Sequence, residues 1–462
     1  MKNLYDLIII GTGPAGMAAA VTARNFGLST LVVDEQRDLG GQIYHSLENA
    51  RPENTFALGT DYFYGESLIR SFRKSGAEYL PETMVWNLDE NHNIGILREG
   101  KAYQLKTKHL LIAAGAMERP VPIPGWTLPG VMGAAAADIL FKVNDMVPEE
   151  PVVLAGSGPL FLLVACRLID NGVKIAAMVD TTRFGSYLKS LPYFPQALRV
   201  ASYLGKGLSM RWKIQKGDFP IFQSADNLAI YGADSAEEIH FTSLGRKRKI
   251  HAKSFLLHDG VVPNIQFTRL LECEHQWYER QRYWKPVLDD WGNTSVNGVS
   301  VAGDCGGIWG AKAAEHAGRL AAIDIVYKQG GLSAEEKILA ADPLIKKLGR
   351  EKLIRPFLDQ LFPPSCHALV PSSDETLVCR CEEITAGQIR EAVSLGAISP
   401  GQVKSYTRCG MGPCQSRMCG LPLAEIIADS RQVPTPTVGH LKIRPPLKPI
   451  TIGQLADLEL LK

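Results

Sequence analysis

No charge of one sign dominates this chain of 462 residues: 50 Lys and Arg stand against 48 Asp and Glu, a formal net charge of +2. So balanced a surface lacks the field that gathers polyanions, and neither nucleic acid nor anionic membrane surfaces are expected partners. A bilayer-spanning run is missing too. The apolar stretch PVVLAGSGPLFLLVAC is broken by Gly and Pro and closed by Arg167, short of the ~20 residues a span needs. No secretion signal is expected either. The apolar opening MKNLYDLIII is interrupted by Asp6, lacks a small-residue cleavage site and runs straight into GTGPAG. The nine cysteines are odd in number, and without a leader they point to thiols in a reducing cytoplasm rather than to a disulfide framework. Low-complexity tracts are absent, and so is any convincing acid–base or nucleophile constellation. Glu315 and His316 lie on an amphipathic helical stretch and read as surface or packing. No catalytic residue is expected on this chain.

What is present begins with a repeated pattern. Residues 7–34 read as strand, Gly-rich turn, helix and strand (LIII, GTGPAG, MAAAVTARNFG, STLVVDE), and 152–180 repeat the unit. Two such units predict an α/β protein with two Rossmann-like three-layer domains on parallel sheets. The crowding of five cysteines into residues 379–419 adds a small helical C-terminal domain. The expected division is a nucleotide-binding domain in two segments, 1–125 and 266–330, enclosing a second Rossmann-like domain at 126–265. A helical linker at 331–375, a cysteine domain at 376–430 and a Pro-rich tail at 431–462 follow.

Gly11, Gly13 and Gly16 fit G-x-G-x-x-G directly after an apolar strand and at the opening of a helix. The first glycine makes the tight turn, the second admits a pyrophosphate to the helix N-terminus, and the third lets helix and strand pack closely. Pro14 and Ala15 lie inside the motif, and Gly41 and Gln42 follow the second strand. Asp34 ends that strand where a carboxylate can accept ribose hydroxyls, with Glu35 as the fallback. An FAD needs more than NAD does. TSVNGVSVAGD supplies a strand ending in Gly303 and Asp304, followed by a helix whose start, near Ala311, can face a flavin. LLIAAGA, with Ala114 and Gly115, and TSVNGVSVAGD resemble the middle and late motifs of two-dinucleotide-domain flavoproteins.

The second glycine turn is damaged. GSGPLF keeps Gly156 and Gly158 but puts Phe161 in the third position, where a benzyl group should push helix from strand or fill the nicotinamide groove. Asp180 ends the following strand and disfavours a 2′-phosphate. No redox C-x-x-C lies nearby, and Cys166 reads as core packing within a helix, which excludes a disulfide reductase.

Cys379 and Cys381 form C-x-C, and Cys414 and Cys419 form C-x4-C, with Cys409 as an extra. Two thiolate pairs suit the two irons of a [2Fe–2S] rhomb, and C-x-C is less usual for structural zinc, the alternative. Gly410, Gly412 and Gly420 let N–H groups approach the sulfurs, while Arg380, Lys404, Arg408 and Arg417 offset cluster charge. Thr385 and Gln388 form a capping box that starts a helix between the pairs.

This module resembles the bacterioferritin-associated-ferredoxin-like [2Fe–2S] domain. With PGWTLPGVMGAAAADILFK, CRCEEIT and GMGPCQSRMC, the whole chain is similar to one family of complex subunits. Its members include the A-type subunit of opine oxidases, the alpha subunit of D-hydroxyproline dehydrogenase and the B-type subunit of hydrogen cyanide synthase. The resemblance implies Cys379, Cys381, Cys414 and Cys419 as ligands, with Cys409 outside the set. It implies FAD in the first site, leaves ATP or NAD there as alternatives, and allows FMN at a subunit interface. It further implies a catalytic partner resembling amino-acid oxidases, a small ferredoxin-like subunit in some complexes, and a quinone or respiratory chain as acceptor. The chain is then a cytoplasmic electron relay, reaching the inner face of the membrane through its partners. The rival is a stand-alone NAD(P)H-dependent reductase.

Overall fold

Leu7, Ile8, Ile9 and Ile10 are apolar on both faces of an extended chain, which suits only a central strand of a sheet covered on both sides. In the computed structural model, which describes residues 2, 4–50 and 58–460, they form β1 (Leu4–Ile10) within an eight-stranded sheet. α1 (Pro14–Asn25) leads to β2 (Thr30–Val33), parallel to β1, and β3 (Glu78–Leu80) continues the parallel edge. β4 (Thr83–Leu88) and β5 (Asn93–Arg98) run antiparallel to feed β6 (Lys101–Ile112). The last residues of β6 return parallel to β1, and the distant strand Val299–Val301 adds to its other side. Thus two separate segments of sequence build one nucleotide-binding sheet.

Between them the chain leaves and re-enters through two strands that pair with each other, Ala116–Glu118 and Val261–Pro263. The enclosed domain has five parallel strands, with Val152–Ser157 between Ile175–Asp180 and Ser254–Asp259. On one face lie the helices Ala134–Asn144 and Pro159–Asp170, on the other an antiparallel three-stranded layer carrying Ile239 and Phe241. This is the three-layer α/β architecture that the repeated pattern predicted, with an antiparallel sheet as the third layer here and the antiparallel strands β4 and β5 added to the first sheet.

The cysteine module has its own core, in which Val378, Ile389, Val403 and Ile426 are fully buried. The capping box is present: Thr385 Oγ1 accepts from Gln388 N (3.3 Å), and Thr385 N donates to Gln388 Oε1 (2.9 Å). Polar contacts help to fasten the module to the body. Trp126 Nε1 donates to the Leu377 carbonyl (2.7 Å), and Arg282 forms a fork on Glu425, whose carboxylate is buried and also accepts from Thr435. Removing Arg282 would strand the buried Glu425 carboxylate in a medium that solvates it poorly. The tail then crosses back, with Lys442 on Glu272, Leu447 N on the Trp86 carbonyl (2.7 Å) and Lys448 on Glu35. Among the described residues no helix is long and apolar enough to cross a membrane.

His109 on β6 ties the two segments of the first sheet together, its Nε2 meeting Ser300 Oγ at 2.9 Å. Burial, with the Lys328 charge adding to it, pushes this imidazole down to about 4. The unfolded chain therefore takes up the proton first. The contribution is whole above pH ~6.5 and is lost toward pH ~4, up to about 3 kcal/mol in all. Urea unfolding should show it: His109→Gln is expected to lose about 2 kcal/mol less than the parent between pH ~7 and ~5. Equal acid sensitivity of the two proteins would refute the assignment.

Candidate functional site

The C-terminal ends of β1, β6 and Val299–Val301 meet at the N-terminus of α1, where a parallel sheet presents its ligand crevice. Several of the candidate nucleotide residues lie there for a packing or hydrogen-bonding reason. Gly16 is in van der Waals register with the Gly11 carbonyl, so a Cβ would overlap that oxygen. Gly41 folds over the turn, its Cβ position 2.8 Å from the Gly13 Cα, and Gln42 follows with its carbonyl held by Lys142 Nζ (3.0 Å). Gly303 comes within 2.9 Å of the Ala15 methyl when a Cβ is built on it. Ala114 and Gly115 present carbonyls to Asn264, at 2.8 and 3.0 Å. Asp304 Oδ1 accepts from Trp309 N (2.8 Å) and Gly310 N (3.0 Å), which sets the start of the helix Ala311–Lys328. Burial pushes its carboxyl up, with those two N–H groups pulling the other way.

Asp34 does more than the sequence pattern implied. Its Oδ2 accepts from both Thr12 N and Thr12 Oγ1 (2.6 Å each), and Oδ1 accepts from Gln36 N (2.8 Å). The carboxylate therefore fixes the glycine turn and keeps capacity at Oδ1 for one further donor such as a ribose hydroxyl. Glu35, the fallback, is paired with Lys448 of the tail. Thr12 went unrecognised in the sequence although it stands between two motif glycines. Of the three motif glycines only Gly13 faces open space, with no heavy atom within 4 Å of its Cβ position. A packed cradle with one bare position at a helix N-terminus fits a dinucleotide pyrophosphate.

At the second turn, Phe161 lies in the core with Val152, Leu154 and Met178, 1% exposed. Its ring fills the layer between helix and sheet and leaves the groove at Gly158 free of it. The groove's neighbour is His258, whose Nδ1 meets Glu118 Oε1 at 2.5 Å, and Glu118 also accepts from Ala135 N (3.1 Å). Nothing local in the sequence marks this pair, since 140 positions separate its members. Cys166 is buried in the same core, as expected.

The cysteine module brings five sulfurs together. Those of Cys379, Cys409 and Cys419 lie within 4.8 Å of one another. Cys414 touches both Cys419 and Cys381. Hydrogen bonds from the Cys409 and Cys419 thiols, and from the N–H groups of Gly410 and Glu382, pull the Cys379 thiol far down against its burial. Cys414 is drawn down to about 5, chiefly by the Cys419 thiol. Such thiols are ready to ligate a soft metal, and the pairs Cys381–Cys414 and Cys379–Cys419 offer the two-by-two set a [2Fe–2S] rhomb needs. Cys409, set aside in the sequence, is fully buried inside this group. Of the four cations expected around it, Arg417 feels the Cys414 charge, Arg408 is paired with Glu382 (2.9 Å), and Arg380 lies over the Trp126 ring. Gly412 packs on the Cys381 side chain.

A cleft of about 440 Å³ opens between the two α/β domains, lined by Tyr64, Tyr203, Lys312, His316, Lys347 and Arg350 among others. His316 Nδ1 is buried there without a partner, and burial lowers its pKa. Glu315 is engaged by Arg319 (2.8 Å).

Comparisons with known proteins agree with this geometry. Residues 5–214 match the pyridine nucleotide-disulphide oxidoreductase family, and residues 377–429 match the BFD-like [2Fe-2S] binding domain. The A-type subunit of an opine oxidase from Rhizobium meliloti is 40% identical over 99% of this chain and 88% of its own length. The HcnB subunit of the hydrogen cyanide synthase of Pseudomonas protegens is 30% identical over 89% of each chain. Among solved structures, the L-proline dehydrogenase from P. horikoshii shares the fold with a TM-score of 0.72, covering 98% of this chain and 79% of that one at 18% identity. Full-length likeness at this level places the chain in the family of opine oxidase A-type subunits.

Proposed function

We propose that this chain is the electron-relay subunit of a hetero-oligomeric, dye-linked dehydrogenase of amino or imino acids, of the opine oxidase or D-hydroxyproline dehydrogenase type. Oxidation of the substrate C–N bond then belongs to a partner flavoprotein resembling amino-acid oxidases. The supporting observation is the five-cysteine module fastened onto a dinucleotide-binding body by the buried Arg282–Glu425 fork. Gly11, Gly13, Pro14, Ala15, Gly16, Asp34, Gly41, Gln42, Ala114, Gly115, Gly303, Asp304 and Ala311 would hold FAD, while Glu35 serves the tail. Cys379, Cys381, Cys414 and Cys419 would hold the cluster. When bound, FAD exchanges electrons in pairs and a [2Fe–2S] cluster passes them singly. The chain's own part would be to fix the separation of the two sites through the Trp126–Leu377 and Arg282–Glu425 contacts. The acceptor downstream is a quinone or respiratory chain, and an interfacial FMN and a small ferredoxin-like subunit are compatible additions.

The isolated chain is expected to show no turnover of opines, D-hydroxyproline or sarcosine with a redox dye, whereas the co-purified complex turns one of them over. Robust dehydrogenation by the single chain would overturn the relay reading. A second reading, a stand-alone NAD(P)H-dependent FAD reductase, is favoured by the Phe161 ring leaving the Gly158 groove open. Anaerobic mixing with NADH separates the two: the relay predicts no rapid bleaching of the flavin bands, and rapid bleaching selects the reductase.

A further inference from the structure

Net charge conceals one unusual segment. Residues 181–217 hold seven Lys and Arg and no Asp or Glu, so the rest of the chain is net acidic. The segment folds as three consecutive helices, Phe184–Ser190, Phe194–Leu198 and Ala201–Gln215. Their inner side is satisfied: Ala197 and Val200 pack with Ile354, Leu353 and Phe357 of the linker helices. Their outer side is not. Phe184 and Leu188 stand one turn apart, as do Leu208 and Trp212, and each is more than half exposed. Leu191 and Leu198 are exposed to the same degree. Large apolar side chains clustered in water mark an interaction surface.

Charge selects the occupant. Lys206 and Lys213 are paired with Asp61 and Asp170 of neighbouring elements, but Arg183, Lys189 and Arg199 are exposed and meet no acid among the described ion pairs. Lys216 holds its ammonium 3.5 Å from the centre of the Trp212 ring. Interleaved Leu, Phe and Trp with cations on long flexible stems match a bilayer boundary, where apolar groups enter and the cations reach lipid phosphates.

We propose that this helical face docks on the surface of an anionic lipid bilayer, peripherally and without crossing it. The inference does not depend on the relay reading. It departs from the expectation drawn from whole-chain charge, which averages a basic segment against an acidic remainder.

Flotation of the purified full-length chain with vesicles tests it. Binding is expected to vesicles containing phosphatidylglycerol and not to pure phosphatidylcholine, and to fall with added salt. The triple variant Arg183→Gln, Lys189→Gln, Arg199→Gln should weaken partitioning about 100-fold, since each cation near such a surface contributes ~1 kcal/mol. Leu208→Ser with Trp212→Ser should also release the protein, with an unchanged circular dichroism spectrum showing that the fold survives. Absence of flotation, or equal flotation on both vesicle types, overturns the proposal. So does a lipid-free dimer, or a complex with the catalytic partner, that disperses in the Leu208→Ser variant while vesicle binding is missing, because the face is then a protein interface.

Discussion

Cys379→Ser is expected to strip the iron–sulfur chromophore from the purified chain, taking iron from about two atoms per chain to near zero. The reason is position. Cys379 is 1% exposed at the end of the strand Leu377–Cys379, and its sulfur lies between those of Cys409 and Cys419. It also receives N–H groups from Gly410 and Glu382, an arrangement that stabilises a thiolate in a site water does not reach. A serine hydroxyl is a poor ligand for iron and remains protonated there, so one iron would lose a terminal thiolate. Five sulfurs compete for four places, and this makes the comparison with Cys409→Ser decisive. If the pairs Cys379–Cys419 and Cys381–Cys414 bind the irons, Cys409→Ser keeps the brown colour and about two irons per chain. If Cys409 is a ligand and the exposed Cys381 is the spare, the two variants Cys409→Ser and Cys381→Ser exchange outcomes. Zinc in place of iron in the parent protein, with no colour, would remove the iron–sulfur assignment altogether.

The Cys409 problem shows where sequence reasoning stops. Strand, glycine turn, helix and strand were legible because each is a local pattern: a two-faced apolar run, a Gly at each tight approach, and helical periodicity. The capping box of Thr385 and Gln388 is local as well, and it is present. Side-chain engagement across the chain is not local. Asp34 looks like a ribose acceptor until Thr12 is seen to occupy Oδ2, and Glu35 looks available until Lys448 arrives from 413 positions away. Phe161 departs from the glycine pattern, but its ring does not fill the groove as the sequence suggested, because the volume between helix and sheet beside Met178 and Leu154 takes it. The exposed basic helices were hidden by averaging, since composition counts charges without their places.

Gly13→Val is expected to leave a folded, cluster-bearing chain that carries no flavin. Gly13 has φ −68° and ψ 179°, an extended conformation open to any residue, and a Cβ built there has no heavy atom within 4 Å. Nothing in the protein's own packing therefore demands glycine. What demands it is the space ahead of α1, where first-turn N–H groups and the positive end of the helix face a dinucleotide pyrophosphate. Overpacking costs about 1–3 kcal/mol where surroundings can yield. A pyrophosphate held at the helix start beside Gly41 would have little room to yield, so the upper end is expected, about 100-fold in Kd. Gly16→Val provides the contrast, because its side chain would overlap the Gly11 carbonyl oxygen and break the junction of β1 with α1. The purified Gly13→Val chain should melt near the parent temperature measured without flavin, show the iron–sulfur absorption and lack the flavin bands. Gly16→Val should be recovered insoluble. Stoichiometric flavin in Gly13→Val would mean that the nucleotide does not cross this turn, and the assignment of the first site would fall with it.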